Sequence, residues 1–156
     1  MVRKFPIVFY FLSFLACSVH AGLDLEVRTR SYFSAKEFKR IPEYFSGEEF
    51  SGNKIYLRSD PTKKSGYYFV VKVCGEAKTI PLSTTWEINW VSSIDPNEYT
   101  QRIPFSGSQL SNREIFIGLT GGAWTDSSAY PLAWQIRLLD PKDILLAESK
   151  SFLWSE

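Results

Sequence analysis

Ala133-Trp134-Gln135-Ile136-Arg137-Leu138-Leu139-Asp140-Pro141-Lys142-Asp143-Ile144-Leu145-Leu146-Ala147-Glu148 decides the fold. Trp134, Ile136 and Leu138 alternate with Gln135 and Arg137, so a strand here puts its three apolar groups on one face. Asp140-Pro141-Lys142-Asp143 has turn chemistry: Pro presets φ for the second position, and Asp at the first bonds the backbone two residues on. Ile144 and Leu146 restart an apolar run that passes Glu148 and Lys150 and closes on Phe152, Leu153 and Trp154. The competing reading is a short helix across 142–149, built from good helix formers. An isolated hairpin is only marginally stable in water, so the rest of the chain must cover this one.

Working outward, the same alternation recurs. Thr85 to Val91 sets Trp86, Ile88 and Trp90 against Glu87 and Asn89, a spacing that core packing explains. Tyr67 to Cys74 is apolar on both faces, which marks a strand covered on both sides. Leu23, Leu25 and Val27 alternate with charged neighbours, and 53–58, 98–105 and 114–119 are further strand candidates. Prolines at 42, 61, 81, 96, 104, 131 and 141 sit between apolar runs. Ser34-Ala35-Lys36-Glu37 has capping-box spacing, with Phe33 and Phe38 placed as a staple. A short helix near 35–41, stopped before Pro42, and an irregular loop meet this pattern equally.

About eight strands at this spacing resemble an immunoglobulin- or fibronectin-like β-sandwich, although the Cys-Trp-Cys signature of true immunoglobulin domains is missing. The expected fold is all-β, a single antiparallel sandwich over residues 22–156. A weak echo relates 45–55 to 105–115, matching Phe, Ser, Gly, Ser and Ile at equal offsets. It is met either by a duplicated half-sandwich or, more simply, by two similar strand entries.

Arg3 and Lys4, an apolar run from Phe5 to Ala16, and Val19-His20-Ala21 before Gly22 form a secretory signal pattern over 1–21. The run is too short to cross a bilayer, which takes ~20 helical residues. The alternatives are an uncleaved anchor or lipidation at Cys17. The latter fits poorly, because Phe14 holds the place a lipobox gives to Leu. The expected location is the periplasm or the exterior, and no later apolar stretch could span a membrane as a helix.

Removing the leader turns 18 basic and 17 acidic residues into 16 and 17. That balance argues against nucleic-acid binding and against adhesion to anionic membranes. The single His, His20, leaves with the leader, and only Cys74 remains of two Cys. An intramolecular disulfide, a Cys/His zinc site and a Ser-His-Asp triad are then all out of reach. Cys74 itself reads as a small buried hydrophobe.

Four places invite function. Trp124 lies in a Gly/Ser/Thr-rich loop between Thr120 and Pro131, with Asp126 and Tyr130. A loop Trp can stack on a sugar ring or a peptide proline, or it can fold back as a plug over the sandwich end. Asp95, Asn97 and Glu98, and separately Asp140 and Asp143, offer oxygens for calcium but read better as turn caps. Adjacent Glu48 and Glu49 point to opposite faces of a strand and make a poor acid–base pair. Arg28, Arg30, Lys36, Lys39 and Arg40 are interleaved with acids, as on a solvated face. No catalytic, cofactor or metal residue stands out. The expectation is a non-enzymatic binding module for a protein or glycan, with Trp124, Asp126 and Tyr130 as ligand contacts. Beside it stand a structural part of a cell-envelope assembly and, less favoured, a two-carboxylate glycan-acting enzyme.

Overall fold

A computed structural model describes residues 22–39, 47–49, 51–75, 80–107, 110 and 113–155. The leader up to residue 21, Arg40 and parts of the 45–55 and 105–115 echo lie outside those residues. Eight strands form two four-stranded sheets: β1 (Asp24–Phe33), β2 (Lys54–Arg58), β3 (Gly66–Cys74), β4 (Ser83–Ser92), β5 (Glu98–Ser106), β6 (Glu114–Thr120), β7 (Pro131–Leu139) and β8 (Leu145–Lys150). The first sheet runs β1-β3-β6-β2 and the second β5-β4-β7-β8.

Each strand supplies alternate residues to the shared core. Tyr67, Phe69, Val71 and Val73 of β3 and Ile115, Ile117 and Leu119 of β6 face Trp86, Ile88 and Trp90 of β4 and Trp134, Ile136 and Leu138 of β7. Phe69 and Trp134 meet across the layers with ring centroids 5.5 Å apart. The 133–148 stretch is a hairpin, not a helix. Asp140 Oδ1 accepts from the amides of Lys142 (2.7 Å) and Ile144 (2.8 Å), and Asp143 takes φ +61° to close the turn.

Pairing is antiparallel with one exception, which corrects the all-antiparallel expectation: β2 runs parallel to β6, Lys54 opposite Glu114 and Ile55 opposite Ile115. The two halves of the sequence echo thus lead into neighbouring strands in equal register. The physical reason is the crossover. β1 and β2 point the same way with β3 and β6 between them, so the link that joins them is a crossover and not a hairpin. Phe38, on that crossover, is buried with Tyr68, Val70 and Phe116 in a second apolar cluster. That is why β3 is apolar on both faces.

The crossover begins with one 3-10 turn, Ala35–Phe38, rather than a helix reaching residue 41. Glu37 reaches back to the Ser34 amide (2.5 Å) and the Phe33 and Phe38 rings lie 5.8 Å apart, as the box and staple require. Lys39 is already extended, so the turn stops there. After β8 the chain also departs from expectation. Phe152–Ser155 form a 3-10 turn with Phe152 and Leu153 exposed, because Ser151 has already returned to β7, donating its amide to Trp134 O (2.8 Å). Cys74 is half-buried, not enclosed, since it sits at the very end of β3 opposite Asp24. Pro104 lies inside β5, where an edge strand tolerates it.

Candidate functional site: an aromatic cleft at the loop end

Thr120 ends β6 under firm restraint. Its amide donates to Ser59 Oγ (2.7 Å), and its hydroxyl accepts from the Asp60 amide (2.9 Å). Gly121 then turns at φ +60°, where an added Cβ would meet Asp60 Oδ2 at 2.6 Å. This turn throws Trp124 inward over the sandwich end. Its indole N–H donates to Asp126 O (2.8 Å), and its ring lies 4.9 Å from that of Tyr67 and 6.5 Å from that of Trp90.

Across from it, Trp90 of β4 is paired with Tyr99 of β5. Their rings stack at 5.6 Å and 23°. Tyr99 is on an edge strand and stays 39% exposed, while Trp90 and Trp124 fall to 4% and 6%. A continuous row of ring contacts therefore runs from Trp134 through Phe69, Tyr67, Trp124 and Trp90 to Tyr99, ending at the surface. Between the β4–β5 and β6–β7 loops lies a cleft of about 290 Å³, its lining including Trp90, Ile94, Asp95, Tyr99, Trp124 and Asp126.

Both cleft carboxylates are fixed by their own turns. Asp95 accepts from the Tyr99 hydroxyl and from the Asn97 amide (3.0 Å). Asp126 accepts from the Ser128 hydroxyl (2.6 Å) and amide (2.7 Å). The Tyr99 bond, then the Asn97 amide, hold Asp95 below the usual carboxylate range. The Ser128 hydroxyl and amide do the same for Asp126. Tyr99 is pushed the other way, because its proton is held by Asp95.

Of the three residues expected from sequence, Trp124 and Asp126 meet in the cleft and Tyr130 does not line it. The backbone of Tyr130 is tied to Ser93, whose amide donates to Tyr130 O (2.8 Å), and its side chain is exposed. Sequence reasoning missed Tyr99 altogether and favoured core packing for Trp90. The register that sets them face to face is fixed by the turn that joins β4 to β5, and alternation within either strand does not reveal it.

Elsewhere three of the other acids singled out by the sequence are taken by structural partners. Asp140 caps its turn and Asp143 pairs with Arg102. Glu49 grips Arg58 through two bonds of 2.7 Å. Arg58, 7% exposed, also donates Nε to the Tyr68 hydroxyl (2.8 Å) and lies 5.1 Å from the Phe38 and Tyr56 rings. Among the described residues, no group of three or more His, Cys, Asp or Glu is placed to hold a metal. No helix among them is long and apolar enough to cross a membrane. No family model matches the chain, and it matches no curated protein and no solved structure.

Proposed function

We propose that the chain is an exported, non-enzymatic binding module on an immunoglobulin- or fibronectin-like sandwich, whose protein or glycan ligand seats in the loop-end cleft. Export rests on the leader pattern of residues 3–21. The fold type is supported by strand order. With β1, β3, β4, β5, β6, β7 and β8 taken as A, B, C, C′, E, F and G, the sheets run A-B-E and C′-C-F-G, with β2 added beside E. The Phe69–Trp134 pair links B to F, where immunoglobulin domains carry their disulfide.

One observation carries the functional reading: the buried row of rings surfaces at Tyr99, in a cleft framed by two loops that the strands hold rigidly. A glycosidase reading is disfavoured by the same site. A general acid needs a carboxyl raised toward neutrality, and Asp95 and Asp126 are both held low. The structural-assembly reading draws support from exposed Ile144 and Leu145 at the outer strand β8. It requires the exported protein to co-purify as part of a larger complex.

The test is a peptide and glycan panel read by amide chemical shifts. Trp124→Ala would open the core, so Tyr99→Ala is the cleaner probe. A ligand should shift Thr100, Gly122 and Thr125 in the native chain and bind Tyr99→Ala at least tenfold more weakly. Ligand shifts clustered away from the cleft and untouched by Tyr99→Ala would remove the proposal.

A further inference from the structure

We infer that the cleft receives one cationic side chain, a lysine or arginine, from a peptide laid across the loop end. This rests on the cleft being the binding site and names what enters it. Size is the first argument. About 290 Å³ lies at the bottom of the range that encloses whole ligands, ~300 to 1,000 Å³, and suits a single long side chain. A glycan chain needs broad aromatic platforms. Here the indoles of Trp90 and Trp124 are turned inward against each other and Tyr67, and the exposed ring is that of Tyr99.

Charge is the second argument. The only charged side chains that line the cleft among the described residues are Asp95 and Asp126, with no lysine or arginine to balance them. Both are fixed in place by turn hydrogen bonds and both are ionised at neutral pH. Tyr99, packed on Trp90 through one face, adds a ring quadrupole that attracts a cation. An anionic ligand would meet two like charges here. The surroundings are the third argument. Ile94, 64% exposed, lines the cleft, and Tyr130, 55% exposed, is tied by its backbone to the adjacent Ser93. Together they give a basic residue's apolar neighbours a place to rest, the arrangement of an aromatic and aliphatic anchor beside a charge.

The experiment titrates the full exported chain with acetyl-Gly-Leu-Arg-Leu-Gly-amide, with versions carrying Lys, Gln or Glu at the centre, and with cellohexaose and chitotetraose. Amide shifts of Thr100, Gly122 and Thr125 are the readout. Asp95→Asn and Asp126→Asn remove the charge and keep one acceptor oxygen for the turn amides; in Asp95→Asn the new amide nitrogen donates to the Tyr99 hydroxyl, and denaturant midpoints check that both variants stay folded. The expected result is cleft shifts with the Arg and Lys peptides, binding at least tenfold weaker with Gln and absent with Glu. Each Asn variant should weaken the Arg peptide about five- to tenfold, and raised salt should weaken it further. Equal binding of the Arg and Gln peptides, or an unchanged Arg affinity in the double Asn variant, overturns the inference. Cleft shifts with an oligosaccharide but not with the basic peptides overturn it while leaving the cleft as the binding site. Silence of the cleft to every probe overturns both.

Discussion

Tyr99 stacks on Trp90 with 5.6 Å between ring centroids, one residue on an edge strand and the other on the strand beside it. The pair closes the core at the loop end. An aromatic pair contributes ~0.5 to 1.5 kcal/mol beyond the area it buries. Tyr99→Ala should therefore lower unfolding free energy by about 1 to 2 kcal/mol and shift tryptophan emission to the red, as water reaches Trp90. Tyr99→Phe keeps the stack and loses only the bond to Asp95, so it should cost well under half as much. Urea unfolding followed by fluorescence decides between them. Equal losses in the two variants would mean the hydroxyl, not the ring, holds this corner.

Phe69 and Trp134 do between the sheets what a covalent link does in many sandwiches. No cross-link is possible among the described residues, where Cys74 is the one cysteine. Phe69→Ala should then cost about 3 to 5 kcal/mol, the range for deleting a buried ring. Guanidinium unfolding measures it. A loss below about 1 kcal/mol would show that the interlayer contact is dispensable.

Gly118 of β6 lies directly under Tyr68, and a Cβ there would overlap the tyrosine ring. Moving that ring would break the Tyr68 hydroxyl's bond to Lys64 O (2.6 Å) and its contact with Arg58 Nε. Gly118→Ala should cost roughly 1 to 3 kcal/mol by overpacking. Gly122→Ala, whose Cβ meets nothing within 4 Å, is the control and should stay within about 0.5 kcal/mol of the parent.

How much of this was legible beforehand depends on the range of the signal. Alternation in Trp86-Ile88-Trp90 and Trp134-Ile136-Leu138 is local, and it placed both strands and their inner faces. The doubly apolar Tyr67–Cys74 run rightly announced a cover on its outer face, but nothing in it said that Phe38 from the crossover would supply that cover. The parallel β2–β6 pair was hidden for the same reason: strand direction across a crossover is decided by the whole topology, not by period. Trp124 was marked by its glycine-rich loop. Tyr130 was marked by the same loop, yet Ser93 captures its backbone and its side chain does not line the cleft.

Glu49 and Arg58 make the fold acid-sensitive at a stated place. The paired bonds from Arg58 lower the Glu49 carboxyl, and Lys64 at 3.5 Å adds to this. Burial pulls the Arg58 guanidinium down, but its bonds to Glu49 and Tyr68 outweigh that and hold it well above its ordinary value. Because the folded carboxyl titrates below its unfolded value of about 4.3, its contribution is full above that value and is lost as pH falls through the folded one. The parent's denaturant midpoint should fall between about pH 5 and pH 3 more steeply than that of Glu49→Gln. Parallel pH profiles would refute the assignment.

The outer face of the second sheet carries a polar chain whose direction can be deduced. Glu148 can only accept, so Gln135 must present its amide nitrogen to it (3.1 Å). Gln135 Oε1 then faces Asn89 Nδ2 (3.1 Å), and Asn89 Oδ1 is left to accept from the Thr100 hydroxyl (2.7 Å). Gln135 and Asn89 each donate once and accept once, in one sense only, in a chain that runs across β5, β4, β7 and β8. Asn89→Asp replaces the sole donor of the largely buried Asn89 with an oxygen set against Gln135 Oε1. The new carboxyl should titrate above about 3.9, because burial and the facing oxygen both oppose its charge. Its cost, about 1 to 3 kcal/mol at pH 7, is present above that raised value and is relieved as pH falls and the protonated acid donates to Gln135. Denaturant midpoints of parent and variant should therefore converge near pH 4. A gap that stays constant from pH 7 to pH 4 would show that Gln135 turns over and the chain has no fixed direction.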